Sequence, residues 1–313
     1  MRRAAWAWVR PVAGAVVLAL VVWRVGTGPF LTGIRRVDAG SLLAVASITA
    51  LTTVCSAWRW QTVARGLGVG LPLRTAIAAY YRSQFLNSVL PGGIVGDVHR
   101  GVRHGLDAGD VGRGLRAVVW ERVAGQVVLV VVVLAVLLTL PSPVSGAAVW
   151  GAVIAAAAAS VAVVVVLGVR GMRRDVRNGL LARRAWPVVL GSSLVIAVGH
   201  TGTLLVAAAA TGTDASLARL LPLLMLVLVA MAVPLNVGGW GPREGVAAWA
   251  FAAAGLGAAQ GVATAAAYGV MAFVATLPGA VVLVAGWLRG RSPASPFRPR
   301  AGAPPAEPVG AAP

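Results

Sequence analysis

Apolar runs long enough to cross a lipid bilayer make up most of the chain, and short polar stretches separate them. A membrane-spanning helix needs about 20 apolar residues. Runs of this kind predict spans at 11–31, 41–58, 117–140, 147–169, 186–210, 217–235 and 263–288. The shorter segments 75–91 and 245–257 fit either a span or a helix that re-enters from one side. The pattern predicts an all-α polytopic helical membrane bundle of about eight spans plus one or two re-entrant or broken helices, in two related halves.

Two glycine-hinged polar stretches, 82–100 and 234–244, interrupt this apolar pattern. They contain Pro91, Gly92, Gly93 and Gly96 in the first stretch, and Pro234, Gly238, Gly239 and Gly241 in the second. Proline lacks a backbone N–H and glycine carries a large entropy cost, so a regular helix cannot continue through either stretch. An interfacial turn would explain one such break. Its recurrence in corresponding halves favours a transport site.

Composition and charge exclude a soluble domain and favour a membrane protein. The 313 residues are 58% hydrophobic, with a mean hydropathy of +0.85 and a net charge of +18. All 27 basic residues are arginines, and they gather at the ends of apolar runs, which indicates contact with anionic headgroups rather than nucleic acid. If 75–91 re-enters, 21 arginines lie on one side and four on the other. The positive-inside rule then predicts cytoplasmic N- and C-termini.

The chemistry that the two polar stretches suit best is phosphate binding. Consecutive glycine N–H groups at a helix start form an anion-binding concavity, and arginine forks match phosphate oxygens. Asp97 and Glu244 would orient the arginines, although capping of the helix start explains either acid equally well. Each arginine could instead pair with an acid or extend to the membrane interface. The predicted substrate-binding residues are Arg82, Asn87, Pro91, Gly92, Gly93, Gly96, Asp97, Arg100, Pro234, Gly238, Gly239, Gly241, Arg243 and Glu244.

Motifs for catalysis or metal binding are absent from the sequence. There is no paired-carboxylate arrangement, Walker A loop, serine nucleophile elbow or HExxH pattern. We therefore expect no catalytic residue, no metal site, no cofactor and no enzyme activity. Glu121 and Arg122, adjacent near the start of the 117–140 run, are interpreted as a neutralising pair, with the lining of a cavity as the alternative.

Three motifs resemble the lysylphosphatidylglycerol synthase transmembrane, or flippase-like, family. They are the helix end at 57–60, the stretch from Asn87 to Arg100 and the stretch from Pro234 to Glu244, within a resemblance that covers about 10–288. The resemblance implies a plasma-membrane protein related to the part of these synthases that moves lipid between leaflets. The expected domains are a cytoplasmic flank at 1–10, a flippase-like transmembrane domain at 11–288 and a disordered Pro/Ala-rich cytoplasmic tail at 289–313. Because only this tail follows, where full-length synthases carry a soluble transferase domain, we expect a stand-alone member.

Two functional hypotheses follow from different classes of protein. In the first, the chain binds and translocates an anionic or isoprenoid-linked phospholipid, with Arg100 and Arg243 holding the phosphate. In the alternative, it is a non-catalytic scaffold for envelope lipid or glycan synthesis. The expected partners are membrane lipids with anionic headgroups and, for the scaffold, envelope-biosynthesis proteins, with no nucleic acid. A membrane transferase is a weaker third hypothesis, since no acid pair supports it.

Overall fold

A computed structural model describes residues 2–91, 93–141, 172–232 and 240–290, and in these ranges the chain is all-helical. The first helices are α1 (Arg2–Val25), α2 (Gly28–Arg35), α3 (Ala39–Gly66), α4 (Leu73–Val89), α5 (Val95–Asp107) and α6 (Val111–Thr139). After the gap come α7 (Met172–Asp175), a π-helical turn (Val176–Leu180), α8 (Trp186–Ala210), α9 (Leu217–Ala232), α10 (Pro242–Ala253) and α11 (Ala258–Gly290).

Four helices of the described ranges, α3, α6, α8 and α11, are long and apolar enough to cross a membrane. The end of α1 and the whole of α2 form a pair bent by 97°, which makes a fifth candidate if the pair is one span. The expected count of about eight spans is therefore not confirmed. The predicted span 147–169 lies outside the described residues, as does the tail from 291 onward.

The spans α3, α6 and α8 pack with the end of α3 beside the starts of the other two. Arg59, seven residues before the end of α3, pairs with Glu121 of α6 and donates to Ser193 of α8. Farther along, Gly199 of α8 packs against Thr52 of α3, so these two helices are antiparallel. We call the membrane face where α3 ends and α6 and α8 begin the arginine-rich side, and the other face the opposite side.

Helices α4 and α5 form hairpin 1 (73–107), which begins and ends on the arginine-rich side. It follows α3 after six residues and precedes α6 after three. Its two limbs are antiparallel, because Ser83 and Asn87 of α4 contact Asp97 of α5. The tip of the hairpin therefore lies between 90 and 94. The limbs of 17 and 13 residues are shorter than the four candidate spans, as expected if segment 75–91 re-enters from one side.

Helices α9 and α10 form hairpin 2 (217–253), which begins and ends on the opposite side. It follows α8, and Arg219 at the start of α9 donates to the carbonyl of Ala254 at the end of α10. The 12 residues of α10 give about 18 Å of helix, short of a full crossing. The possible span at 245–257 is therefore not confirmed, and the end of the predicted span at 217–235 lies outside the described residues.

Helix α11 runs back from the opposite side and contacts both hairpins. Gly279 packs directly against the backbone of Tyr81 in hairpin 1, where a Cβ atom would lie 2.1 Å from the Tyr81 carbonyl oxygen. Small residues allow this approach between helices where lipid gives no hydrophobic drive for association. Nearer its start, α11 places Tyr268 beside Arg243 of hairpin 2. The largest hydrophobic core surrounds hairpin 2, where 220 and 222–230 of α9 are buried.

Candidate functional site

A cavity of about 520 Å³ lies between the tips of the two hairpins, against the middle of α11. Its volume falls within the range of small-molecule sites. Hairpin 1 contributes Ser88, hairpin 2 contributes residues at the end of α9 and the start of α10, and α11 supplies the remaining wall. The lining residues are Ser88, Ala230, Met231, Trp240, Pro242, Arg243, Tyr268, Gly269, Val270, Ala272, Phe273 and Thr276.

Arg243 is the charged residue of the cavity wall, and the structure fixes its side chain from several directions. Its Nε and Nη2 atoms donate to Glu244 Oε1 at 2.9 and 2.5 Å. The guanidinium lies 5.2 Å from the ring centres of both Trp240 and Tyr268, within cation–π range. A side chain at position 269 would collide with it, since a Cβ there would lie 2.5 Å from Arg243 Nη2. The cation is thus held in one orientation at the cavity.

Glu244 is fully buried and serves two groups at the start of α10. Its Oε1 accepts from Arg243, and its Oε2 accepts the backbone N–H of Gly241 at 2.7 Å. The second contact satisfies one of the N–H groups that a helix start leaves without an intrahelical partner. Orientation of the arginine and capping of the helix, which the sequence left as alternatives, therefore both occur at this residue.

Asp97 lies at the centre of the polar contacts within hairpin 1. Its Oδ1 accepts from Ser83 Oγ at 3.0 Å and from Arg100 Nη2 at 2.9 Å. Its Oδ2 accepts from Asn87 Nδ2 at 3.1 Å and from Arg122 Nη2 of α6 at 2.5 Å. One carboxylate thus joins both limbs of the hairpin to a membrane span.

Glu121, completely buried in α6, connects the same hairpin to α3. Its Oε1 accepts from Arg59 Nε at 2.9 Å and from the Tyr80 hydroxyl at 3.0 Å, and its Oε2 lies 3.2 Å from Arg100 Nη2. The predicted neutralising pair of Glu121 with Arg122 is wrong. Neighbouring residues on a helix point in different directions, so Glu121 faces α3 and α4 while Arg122 reaches Asp97.

Arg100 is buried between two aromatic rings, with its guanidinium carbon 4.5 Å from the Trp60 ring centre and 4.1 Å from that of Tyr80. Only Nη2 has partners, whereas Nε and Nη1 are buried without one. Three guanidinium groups, those of Arg59, Arg100 and Arg122, face two carboxylates in this network. The network therefore carries one excess positive charge. Arg122, whose side chain is 47% accessible, lies at the edge of the network.

Gly93 and Gly96 of hairpin 1 occupy positions where a side chain would be strained or would collide. Gly93 at the tip adopts φ +63°, a left-handed conformation that strains other residues. Gly96 packs so closely on α4 that a Cβ atom would lie 2.1 Å from the Ser83 carbonyl oxygen. Its N–H donates to Asn87 Oδ1 at 2.7 Å, so Asn87 caps the start of α5 from the other limb. Pro91 is exposed at the tip.

The structure brings some of the predicted site residues together and separates others. Arg243 and Glu244 are at the cavity, whereas Asn87, Gly96, Asp97 and Arg100 belong to the network behind hairpin 1. Arg100 and Arg243 therefore contact different sets of residues. Arg82 faces away from both groups, as described below. Gly92, Pro234, Gly238 and Gly239 lie outside the described residues.

Several residues of this site were not predicted as site residues from the sequence. Tyr80, Glu121 and Arg122 complete the network, and Ser88 with residues of α11 completes the cavity. An available signal was the cost of placing Glu121 and Arg122 inside a predicted span, which marks intramembrane charges as functional or paired. The wall from α11 carried no comparable signal, because its small and apolar residues look like any other span.

Comparison with protein families matches residues 7–279 of the chain to the family described as Lysylphosphatidylglycerol synthase TM region. The matched region takes in both hairpins, the cavity and the ion-pair network. No curated protein and no solved structure matches the chain.

Proposed function

The chain belongs to the lysylphosphatidylglycerol synthase transmembrane family, and on that premise we propose that it moves a phosphate-bearing lipid between leaflets. The substrate class is an anionic or isoprenoid-linked phospholipid. One observation carries the proposal: two hairpins that enter from opposite sides meet at a cavity that holds a fixed arginine. Membership of the family supports a multi-pass membrane protein related to lipid synthesis or flipping.

The position of the cavity suits a headgroup in transit. Arg243 contacts Tyr268, ten residues from the start of α11, and Ser88 lies 3.5 Å from Thr276, fourteen residues from the end of that helix. At about 1.5 Å per residue, the first contact lies about 15 Å from the start of α11 and the second about 21 Å from its end, which places both near the middle of the bilayer. A phosphate at this depth loses its hydration, so a positioned cation is needed to replace it.

Arg243 is the residue that would receive the phosphate. A guanidinium offers several N–H donors in a planar fork and binds phosphate oxygens in pairs. The hydroxyl groups of Ser88 and Thr276 lie on the same cavity wall and donate to the carbonyls of Phe85 and Phe273, so each would have to rotate to donate to a phosphate oxygen. The lipid tails would remain in the surrounding hydrocarbon while the headgroup crosses between the hairpin tips.

The buried network is assigned a positioning role in this proposal. It ties hairpin 1 to α3, α6 and α8 through Asp97 and Glu121, and so fixes where the tip meets hairpin 2. Arg100, only 1% exposed and stacked between two rings, would act through this network rather than on the phosphate. The proposal assigns no catalytic step to the chain.

Lipid exchange in proteoliposomes tests the proposed function. We expect the wild-type protein to accelerate leaflet exchange of fluorescent phosphatidylglycerol and of an isoprenoid phosphate, but not of a matched diacylglycerol that lacks phosphate. The readout is the fraction of fluorophore that dithionite bleaches from outside. Folded wild-type protein that leaves all three lipids at the protein-free rate would contradict translocation and favour the scaffold.

A further inference from the structure

Hairpin 1 carries a second basic group on the face that points away from the ion-pair network. Arg82 belongs to α4, while His99 and Arg103 belong to α5 and share one face of that helix at i, i+4 spacing. Arg103 is exposed, and Arg82 and His99 are half-buried. This cluster, which we call the outer basic face, therefore reaches from the surface into the packed part of the hairpin.

The charges of the outer basic face are poorly compensated. Arg103 repels Arg82, which Asp107 attracts, and His99 lies near both arginines. In contrast, Arg59, Arg122 and Arg243 each form an ion pair at 2.5 Å. A cluster in which two arginines face one acid, Asp107, keeps an excess of positive charge and favours binding of an anion.

Two nitrogen atoms of this face are buried without a hydrogen-bond partner, Arg82 Nε and His99 Nδ1. A buried polar group without a partner costs about 1–3 kcal/mol, so native structures normally satisfy such groups. Here both atoms belong to side chains of one cationic cluster. A ligand with several acceptor oxygens would satisfy them together.

The residues of the outer basic face lie at increasing distances from the base of hairpin 1. Arg103 lies four residues, about 6 Å, from the end of α5 on the arginine-rich side, and Arg82 lies nine residues, about 13 Å, from the start of α4. Hairpin 2 has no equivalent series: in its helices charge occurs at Arg219 near its base and at Arg243 and Glu244 near its tip. The two sides of the membrane are therefore chemically unlike along the hairpins.

We infer that the outer basic face is a binding site for a phosphate-bearing anion and receives the headgroup on the arginine-rich side. Two guanidinium forks and an imidazole around one ligand match a phosphate group, whose oxygens accept several hydrogen bonds at once. The inference deepens the proposed function and rests on it for the onward movement of the headgroup to the cavity. The binding step itself is independent of exchange.

Equilibrium binding to detergent-solubilised full-length protein tests the site. The two probes are short-chain radiolabelled phosphatidylglycerol and inorganic phosphate. Arg82→Gln/Arg103→Gln should weaken binding of the lipid by about ten- to a hundredfold, since two charge-assisted contacts are lost. The matched control Arg74→Gln/Arg113→Gln removes two exposed arginines from the same side and should bind as the wild type does.

The outcomes distinguish a lipid headgroup from free phosphate as the bound anion, and they distinguish binding at the outer basic face from translocation. Binding of the lipid but not of inorganic phosphate, lost in the double variant, identifies a lipid headgroup site; equal loss for both probes identifies a general phosphate site. Unchanged lipid binding by Arg82→Gln/Arg103→Gln would overturn the inference. Should that variant fail to fold, the exposed Arg103→Gln alone should weaken binding several-fold. Protein that binds through this face but exchanges no lipid would refute translocation and leave the binding site standing.

Discussion

Arg243→Gln/Glu244→Gln is expected to reduce phosphate-dependent lipid exchange by at least about tenfold while the protein remains folded. The double change removes both partners of a buried ion pair, so neither charge is left without its counterpart. Glutamine at 244 keeps an oxygen that can accept the Gly241 N–H. The cavity then lacks its cation, and dithionite bleaching of fluorescent phosphatidylglycerol in proteoliposomes measures the loss.

A charge-conserving variant and a distant arginine serve as controls for that experiment. Arg243→Lys keeps the charge but loses the fork, so exchange should fall between the wild type and the double variant. Arg35→Gln, on the exposed surface of α2, should exchange lipid at the wild-type rate. Wild-type exchange by folded Arg243→Gln/Glu244→Gln protein would rule out Arg243 as the phosphate-binding residue.

Glu121→Gln is expected to produce the largest loss of stability of any single substitution in the network, about 3–5 kcal/mol. The change leaves Arg59 and Arg100 buried with one less acid between them, and the Tyr80 hydroxyl loses a charged acceptor. Removal of one member of a buried ion pair is costly because the remaining charge stays desolvated. Thermal and denaturant unfolding of purified protein in detergent would measure the effect.

A solvent-exposed ion pair provides the comparison for Glu121. Asp110 and Arg113 pair at 3.1 Å, with side chains 41% and 51% accessible, and such pairs contribute only about 0–1 kcal/mol. Asp110→Asn, which keeps an oxygen to accept the Arg113 N–H at the start of α6, should therefore unfold almost as the wild type does. If Glu121→Gln proved equally mild, the network would not hold hairpin 1 in place.

The sequence was a good guide to features with a local cause. Proline and glycine cluster near 91 and 241, so the breaks there could be located without any tertiary information, whereas the single prolines Pro222 and Pro278 lie inside helices. The pairings of Asp97 with Arg100 and of Glu244 with Arg243 involve residues three or one apart and were predicted as contacts within one helix start. Membership of the family was likewise readable from the same short motifs.

Features that depend on the path of the chain could not be read in the same way. Segment 217–235 has the hydropathy of a span, and the contact of Arg219 with the carbonyl of Ala254 shows that α9 and α10 are antiparallel. Arg59 and Glu121 lie 62 residues apart, so the sequence around either residue does not predict their pairing. Adjacent opposite charges suggested a local pair instead, and helix geometry prevents that pair from forming.

The two glycine stretches have the same place in the fold, each between the two helices of a hairpin. Each break lies between two antiparallel helices, and these helices have their outer ends on the arginine-rich side in hairpin 1 and on the opposite side in hairpin 2. Interrupted helices in opposed orientation around a central site are typical of transporters with inverted repeats. The cavity at their meeting point is the part of this molecule where a headgroup could be reached in turn from either side.

A reversible block of the cavity tests this account most directly. In a Cys55→Ser background, Ser88→Cys places one thiol on the cavity wall at the tip of hairpin 1. After labelling with a bulky methanethiosulfonate, verified by mass, we predict that lipid exchange falls to the protein-free rate and returns when a reductant removes the label. A fully labelled protein that still exchanged phosphatidylglycerol at the unlabelled rate would show that headgroups do not pass between the hairpin tips.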